Sequence, residues 1–105
     1  MVNNVLVTNG DTTVLEAAED TELAGVGLYL CNTTASDEEV TIHLVGGGST
    51  TGNSTIIVKD LTVKAGDTFQ FGYEKFLLSE FEKLIINGRD GGKVSATVTF
   101  MDVTT

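Results

Sequence analysis

The hydrophobic pattern of this chain repeats with a period of two, and it does so in short runs. Over 39–45, Val40, Ile42 and Leu44 alternate with Thr41 and His43; over 93–101, Val94, Ala96, Val98 and Phe100 alternate with Lys93, Ser95, Thr97 and Thr99. That period places one set of side chains on a core face of a pleated strand and the other set on the opposite face. Frequent Thr, Val and Ile favour the same geometry, because branching at Cβ suits a pleated surface better than a helix. Further strands are expected at 4–8, 12–16, 25–32, 54–60, 67–72, 75–78 and 83–87. Turn-forming residues separate them at Asn9-Gly10-Asp11, Thr33 to Asp37, Gly46 to Asn53, Ala65-Gly66-Asp67 and Asn87 to Gly92. Eight or nine short strands at roughly ten-residue spacing predict one all-β domain over 1–105, an antiparallel β-sandwich that is jelly-roll-like. Ser79 and Glu82 have capping-box spacing, which allows one short helical turn at 79–83.

The alternation also nominates a core. Leu28, Leu30, Val40, Ile42, Leu44, Val94, Val98 and Phe100 are expected to meet between two sheets. Strand 25–32 is unusual because neither of its faces is polar: Val26, Leu28 and Leu30 make one, and Gly27, Tyr29 and Cys31 the other. Its second face calls for a subunit contact, an overlying N-terminal segment or a long covering loop. The sequence has no proline, so sheet edges lack one common safeguard against pairing. Together these features predict a homo-oligomer, with a trimer favoured, and place Tyr29 near the contact, since aromatic residues are enriched at such surfaces.

The net charge is −9, and its distribution is uneven. Residues 1–58 hold eight acids and no Lys or Arg, and all six basic residues come later. Such a balance repels phosphate, so neither nucleic acid nor an anionic membrane is an expected partner. It suits docking on a basic protein surface, and Glu16, Glu19, Asp20 and Glu22, in the turn after the second strand, are the candidate acidic contact; plain solubility is the rival explanation. No apolar run is long enough for a membrane-spanning helix, and the first residues lack the pattern of a secretory signal.

Chemistry has little to build on. His43 is the only histidine and is expected on an outer, solvated face; Cys31 is the only cysteine and is expected to be a small buried hydrophobe. Neither has the partners that a zinc site or an activated nucleophile needs. The acidic cluster lacks the spacing of a calcium loop. The expectation is therefore a protein with no catalytic residue, no metal and no cofactor. The Asn-x-Ser/Thr triplets at Asn32 and Asn53 are read as chance. The stretch 46–55, rich in Gly, Ser and Thr, lacks the lysine of a phosphate-binding loop and is expected to be a mobile hairpin tip, or a projecting loop that orders against a neighbour. A sugar- or calcium-binding module is a third functional class, weakened by the absence of Trp and by having only Tyr29 and Tyr73 as tyrosines.

The stretch Gly27-Leu28-Tyr29-Leu30-Cys31-Asn32-Thr33-Thr34, followed by Val40-Thr41-Ile42-His43-Leu44, resembles small virion structural proteins of tailed bacteriophages, including phages of marine bacteria. These share a strand of the form L-x-(V/L)-C-N-(T/S) and then an alternating V-T-(V/I)-x-(V/L) strand. Val63 to Thr68 is similar to their (V/I)-x-A-(G/N)-(D/G)-(T/S) turn, and Val5 to Gly10 to their opening. The resemblance runs from about residue 4 to 102. It departs at Leu78 to Leu84, where such proteins often carry a Gly-Asp pair. It implies a β-sandwich in a phage particle, with other virion proteins as partners: a capsid decoration or cement protein, or alternatively a tail, neck or fibre component.

Overall fold

The computed structural model describes residues 1–71, 75–89 and 93–104. Gly72, Tyr73 and the Asp90-Gly91-Gly92 part of the last expected turn lie outside the described residues. Among the described residues nine strands form: β1 (Val2–Val7), β2 (Gly10–Glu16), β3 (Leu23–Asn32), β4 (Glu38–Val45), β5 (Ile56–Val63), β6 (Thr68–Phe71), β7 (Phe76–Leu78), β8 (Lys83–Gly88) and β9 (Val94–Asp102). Each matches a run expected from the alternation. The 79–83 stretch forms a tight turn instead of a helix. Half of the expected capping box still forms there, with the Ser79 N–H donating to Glu82 Oε1 at 2.7 Å.

All pairings between strands are antiparallel, and they make two sheets. The first has the order β1-β9-β3-β6, with β7 also on β3; the second has the order β2-β8-β4-β5. From β1 to β4 the chain changes sheet at every connection, so each sheet is assembled from strands distant in sequence. This wrapping is a jelly roll. The extents, 44 × 26 × 20 Å, fit two layers about 10 Å apart with outward side chains on each.

The core lies between the layers. Leu28, Leu30, Val40, Ile42, Val94 and Val98 are all buried there as expected, and Leu44 and Phe100 pack against it half-buried. Val7, Val14, Leu84, Ile86 and Ala96 complete its centre. A bulge between Thr13 and Leu15 lets consecutive Val14 and Leu15 both turn inward, which strict alternation would forbid. A second bulge, between Gly25 and Gly27, takes Val26 out of register. At Gly25 the Phe76 ring occupies the space a Cβ would need, so the aromatic ring packs directly on backbone.

One buried polar residue fixes the end of β3. Asn32, 1% exposed, donates from Nδ2 to Ser36 O at 2.8 Å and to Val63 O at 2.9 Å. Its Oδ1 accepts from the Thr34 N–H at 2.9 Å and from Thr34 Oγ1 at 2.8 Å. With every polar atom paired, its burial costs little. The Asn32-x-Thr triplet is thus a structural clamp, closed to a glycan.

Candidate interaction surface

The two sheets treat their outward faces differently. On the second sheet, His43, Val45 and Ile85 point away from the core, yet their exposures are only 6%, 2% and 7%. The 46–55 loop folds back on this side, against His43 and Asp11. It is closed by hydrogen bonds from the Ser49 N–H to Gly46 O and from the Thr55 N–H to Gly52 O, both 3.1 Å. Thr51 Oγ1 reaches across to donate to Asp11 Oδ2 on β2, and Asn87 Nδ2 donates to Asp11 Oδ1 at 2.9 Å. These two bonds hold the Asp11 carboxyl below its usual 3.8, against a smaller upward push from burial; the nearby His43 contributes a further lowering. His43 Nδ1 and Thr55 Oγ1 lie 2.8 Å apart.

Two expectations change here. His43 is on the outward face, as its alternation implied, but it is buried and not solvated. The Gly-rich loop is no projecting tip: it lies back over its own sheet.

The outward face of the first sheet has no such cover among the described residues. The register fixes its rows. β1 supplies Val2, Asn4 and Leu6; β9 supplies Ser95, Thr97, Thr99 and Met101; β3 supplies Tyr29 and Cys31; β6 supplies Thr68 and Gln70, and β7 Leu77. None of these strand residues is charged, in a chain of net charge −9; Lys93 and Lys75 stand at its margin, just before β9 and β7. Leu77, Val2, Met101 and Leu6 are 64%, 61%, 56% and 55% exposed. The polar members satisfy each other across strands, as where Thr97 Oγ1 donates to Asn4 Oδ1 at 2.8 Å. Apolar side chains set among uncharged hydroxyls and amides lose little hydration on contact, because no charge has to be stripped of water.

Tyr29 sits on this face beside Thr97 and Gln70, 36% exposed. The overlying N-terminal segment considered for β3 does not occur, since β1 joins the same sheet beyond β9. Cys31 is half-exposed on this face and is not the buried hydrophobe expected.

The acidic residues lie elsewhere. Glu16, at the end of β2, pairs in register with Lys83 on the second sheet. Glu19 and Asp20 occupy the following turn, and Glu22 precedes β3; all four are exposed. The Asp20 N–H donates to Glu80 Oε2 at 2.8 Å, tying this turn to the β7–β8 turn. Tyr29 is about 20 Å along β3 from this end, at about 3.3 Å per residue, so the structure does not bring Tyr29 and the acidic turn into one site. Nor do the acids of residues 1–58 make an acidic side, because the jelly roll interleaves early and late strands in both sheets. Among the described residues no three His, Cys, Asp or Glu side chains converge on a possible metal position.

Phe81 is the feature of this end that the sequence did not single out. It is 47% exposed and holds a φ of 66°, a conformation that bulky residues rarely adopt. Its N–H donates to Ala17 O at 2.7 Å, which fixes the turn beside the acidic residues.

Between the sheets, on the side of β5 and β7, Leu28, Ile42, Ile57, Val58, Phe71, Phe76 and Leu84 line an apolar cleft of about 170 Å³. It contains no group able to perform chemistry. No protein-family model matches the chain, and no curated protein matches it as a relative.

Proposed function

We propose that this chain is an accessory structural protein of a tailed-phage particle, one that decorates or cements the capsid by docking the bare face of its first sheet on other virion proteins. The observation that carries the reading is the absence of any acid, and of any charge within the strands, on that face in so acidic a molecule. A monomer seldom leaves several large apolar side chains together in water, and an uncovered patch of this kind marks an interaction surface. In this reading Tyr29 lies within the contact and the chain performs no chemistry. The phage setting comes from the sequence resemblance. The jelly roll supports it by analogy of fold alone, since viral capsid proteins are among those that use this architecture.

Many copies, each burying a modest area, hold neighbouring capsid subunits by avidity. Glu16, Glu19, Asp20 and Glu22 steer the approach towards a basic patch without belonging to the apolar contact. Association between copies, with a trimer as the sequence expectation, is part of the same proposal.

The test uses particles stripped of this protein. Leu6→Glu and Tyr29→Glu each put a charge on the bare face without touching the core. Full burial of such a side chain is worth about 1.5–3 kcal/mol, so each substitution is expected to weaken binding at least about tenfold. Binding at wild-type affinity by both variants refutes the assignment of this face.

A further inference from the structure

A two-sheet sandwich has four edges, and each edge strand offers unpaired N–H and C=O groups to any strand that reaches it. Three edges here are blunted. β2 carries Asp11 and Glu16 and is bulged between Thr13 and Leu15. β5 carries Lys59 and Asp60 and has two irregularities against β4. The edge beside β3 is split between the four-residue β6 and the three-residue β7. β1 has none of these protections: its six residues hold no charge and no proline, and its register against β9 is unbroken.

The phase of its hydrogen bonds is fixed by β9. The Met1 amine donates to Phe100 O and the Phe100 N–H donates to Met1 O, both at 2.9 Å. Doubly bonded pairs alternate with non-bonded ones in an antiparallel ladder. Asn3, Val5 and Val7 therefore direct their backbone groups to β9, and Val2, Asn4 and Leu6 direct theirs to the open edge.

We propose that β1 pairs antiparallel with β1 of a second copy, about a two-fold axis at Asn4, so that two first sheets become one continuous sheet. This gives the self-association proposed above a two-fold form in place of the trimer expected from the sequence, and it rests on that self-association and not on the docking of the bare face. In this register Val2 of each copy faces Leu6 of the other, and Asn4 faces Asn4. Each of these pairs exchanges two backbone hydrogen bonds. The register is self-complementary, apolar against apolar and amide against amide. A slip of one residue turns the side chains to the wrong face, and a slip of two sets Leu6 against Asn4. Charge selects the same place: two chains of net charge −9 approach with least repulsion along a neutral edge. A three-fold ring would need β1 to meet a different edge, and the other three are blunted; a two-fold contact uses the one good edge twice.

A six-residue strand is about 20 Å long, so the contact buries a few hundred Å² per copy, against roughly 800 Å² per partner in a standard interface. The dimer is therefore weak and reversible in solution, with a dissociation constant between roughly 1 µM and 1 mM, and is consolidated when a particle holds the copies side by side. It also sets two bare faces next to each other, both on the same side of the joined sheet.

Sedimentation of the pure protein tests this. From about 10 µM to about 1 mM, a span that brackets most of the expected range, the wild type is expected to pass from monomer towards dimer. Asn4→Lys and Asn4→Glu each place like charges opposite one another at the axis, and each alone is expected to stay monomeric with an unchanged melting curve. Their equimolar mixture is expected to recover the dimer. Asn4→Lys also lowers the net negative charge, so its dissociation would not be general repulsion. A wild type that stays monomeric throughout, single variants that associate like the wild type, or a trimer in place of the dimer would each overturn the proposal. Particle binding by a monomeric wild type would leave the bare-face reading standing and remove only the edge pairing. A dimer that does not bind particles would do the reverse.

Discussion

Ile42→Ala measures how much the layer between the sheets contributes. Ile42 is 1% exposed, faces inward from β4 and stands opposite Ile86 of β8. The substitution removes three buried carbons, which at about 0.8 kcal/mol each forfeits about 2.4 kcal/mol of transfer free energy. A sealed void of their volume, roughly 80 Å³, would add about 2 kcal/mol at about 24 cal/mol per Å³. Ile42 already borders the apolar cleft, however, so much of the new space joins an existing opening. A loss of about 3 kcal/mol is expected. Ile86 is fully buried and does not line the cleft, so Ile86→Ala keeps its whole cavity term and should cost about 1 kcal/mol more. Urea unfolding of both variants, with slopes equal to the wild type, gives the two numbers. A loss below about 0.5 kcal/mol at Ile42 would remove it from the core, and a greater loss at Ile42 than at Ile86 would refute the role given to the cleft.

Asn32→Ala leaves the carbonyls of Ser36 and Val63 and both Thr34 donors without their partner, so a loss of about 2–3 kcal/mol is expected, read as a melting temperature roughly 10–20 °C lower. An unchanged melt would mean that water replaces the side chain there. Asp11 has a folded pKa below the ordinary 3.8, so its contribution is present in full above that value and is lost as pH falls through the lower folded value. Asp11→Asn should flatten that part of the acid profile and speed hydrogen exchange in the 46–55 loop; a profile equal to the wild type would place the loop's anchor elsewhere. Replacing Glu16, Glu19, Asp20 and Glu22 together by Gln should slow association with stripped particles at low salt, and the difference should shrink once the Debye length falls below about 8 Å. An unchanged rate at low salt would make the turn a solvated face.

The strands were legible in the sequence because a period of two survives even in runs of three to ten residues. Their limits shifted by a few residues where bulges at Val14 and Val26 break the alternation. Pairing was less legible. β9 lies between β1 and β3, so its partners come from the far end of the chain, and no local pattern encodes that. The side of the sheet was right for His43, and its exposure was not. What decides exposure is the path of the 46–55 loop, and a run of Gly, Ser and Thr has no periodicity from which to read a path. The charge split at residue 58 was real in sequence and dissolved in space, since the wrapping places early and late strands side by side. Phe81 could not have been foreseen, because its conformation is imposed by the junction of two turns.

The loop over the second sheet has a consequence for growth. A sandwich with two bare faces would be a brick with mortar on both sides, and copies could pile without limit. Here one side is already plastered by ten residues of the same chain. If the bare side is the docking side, as proposed, the exterior then shown would be the finished side, and a coat of this protein would be expected to be one molecule thick and to stop itself.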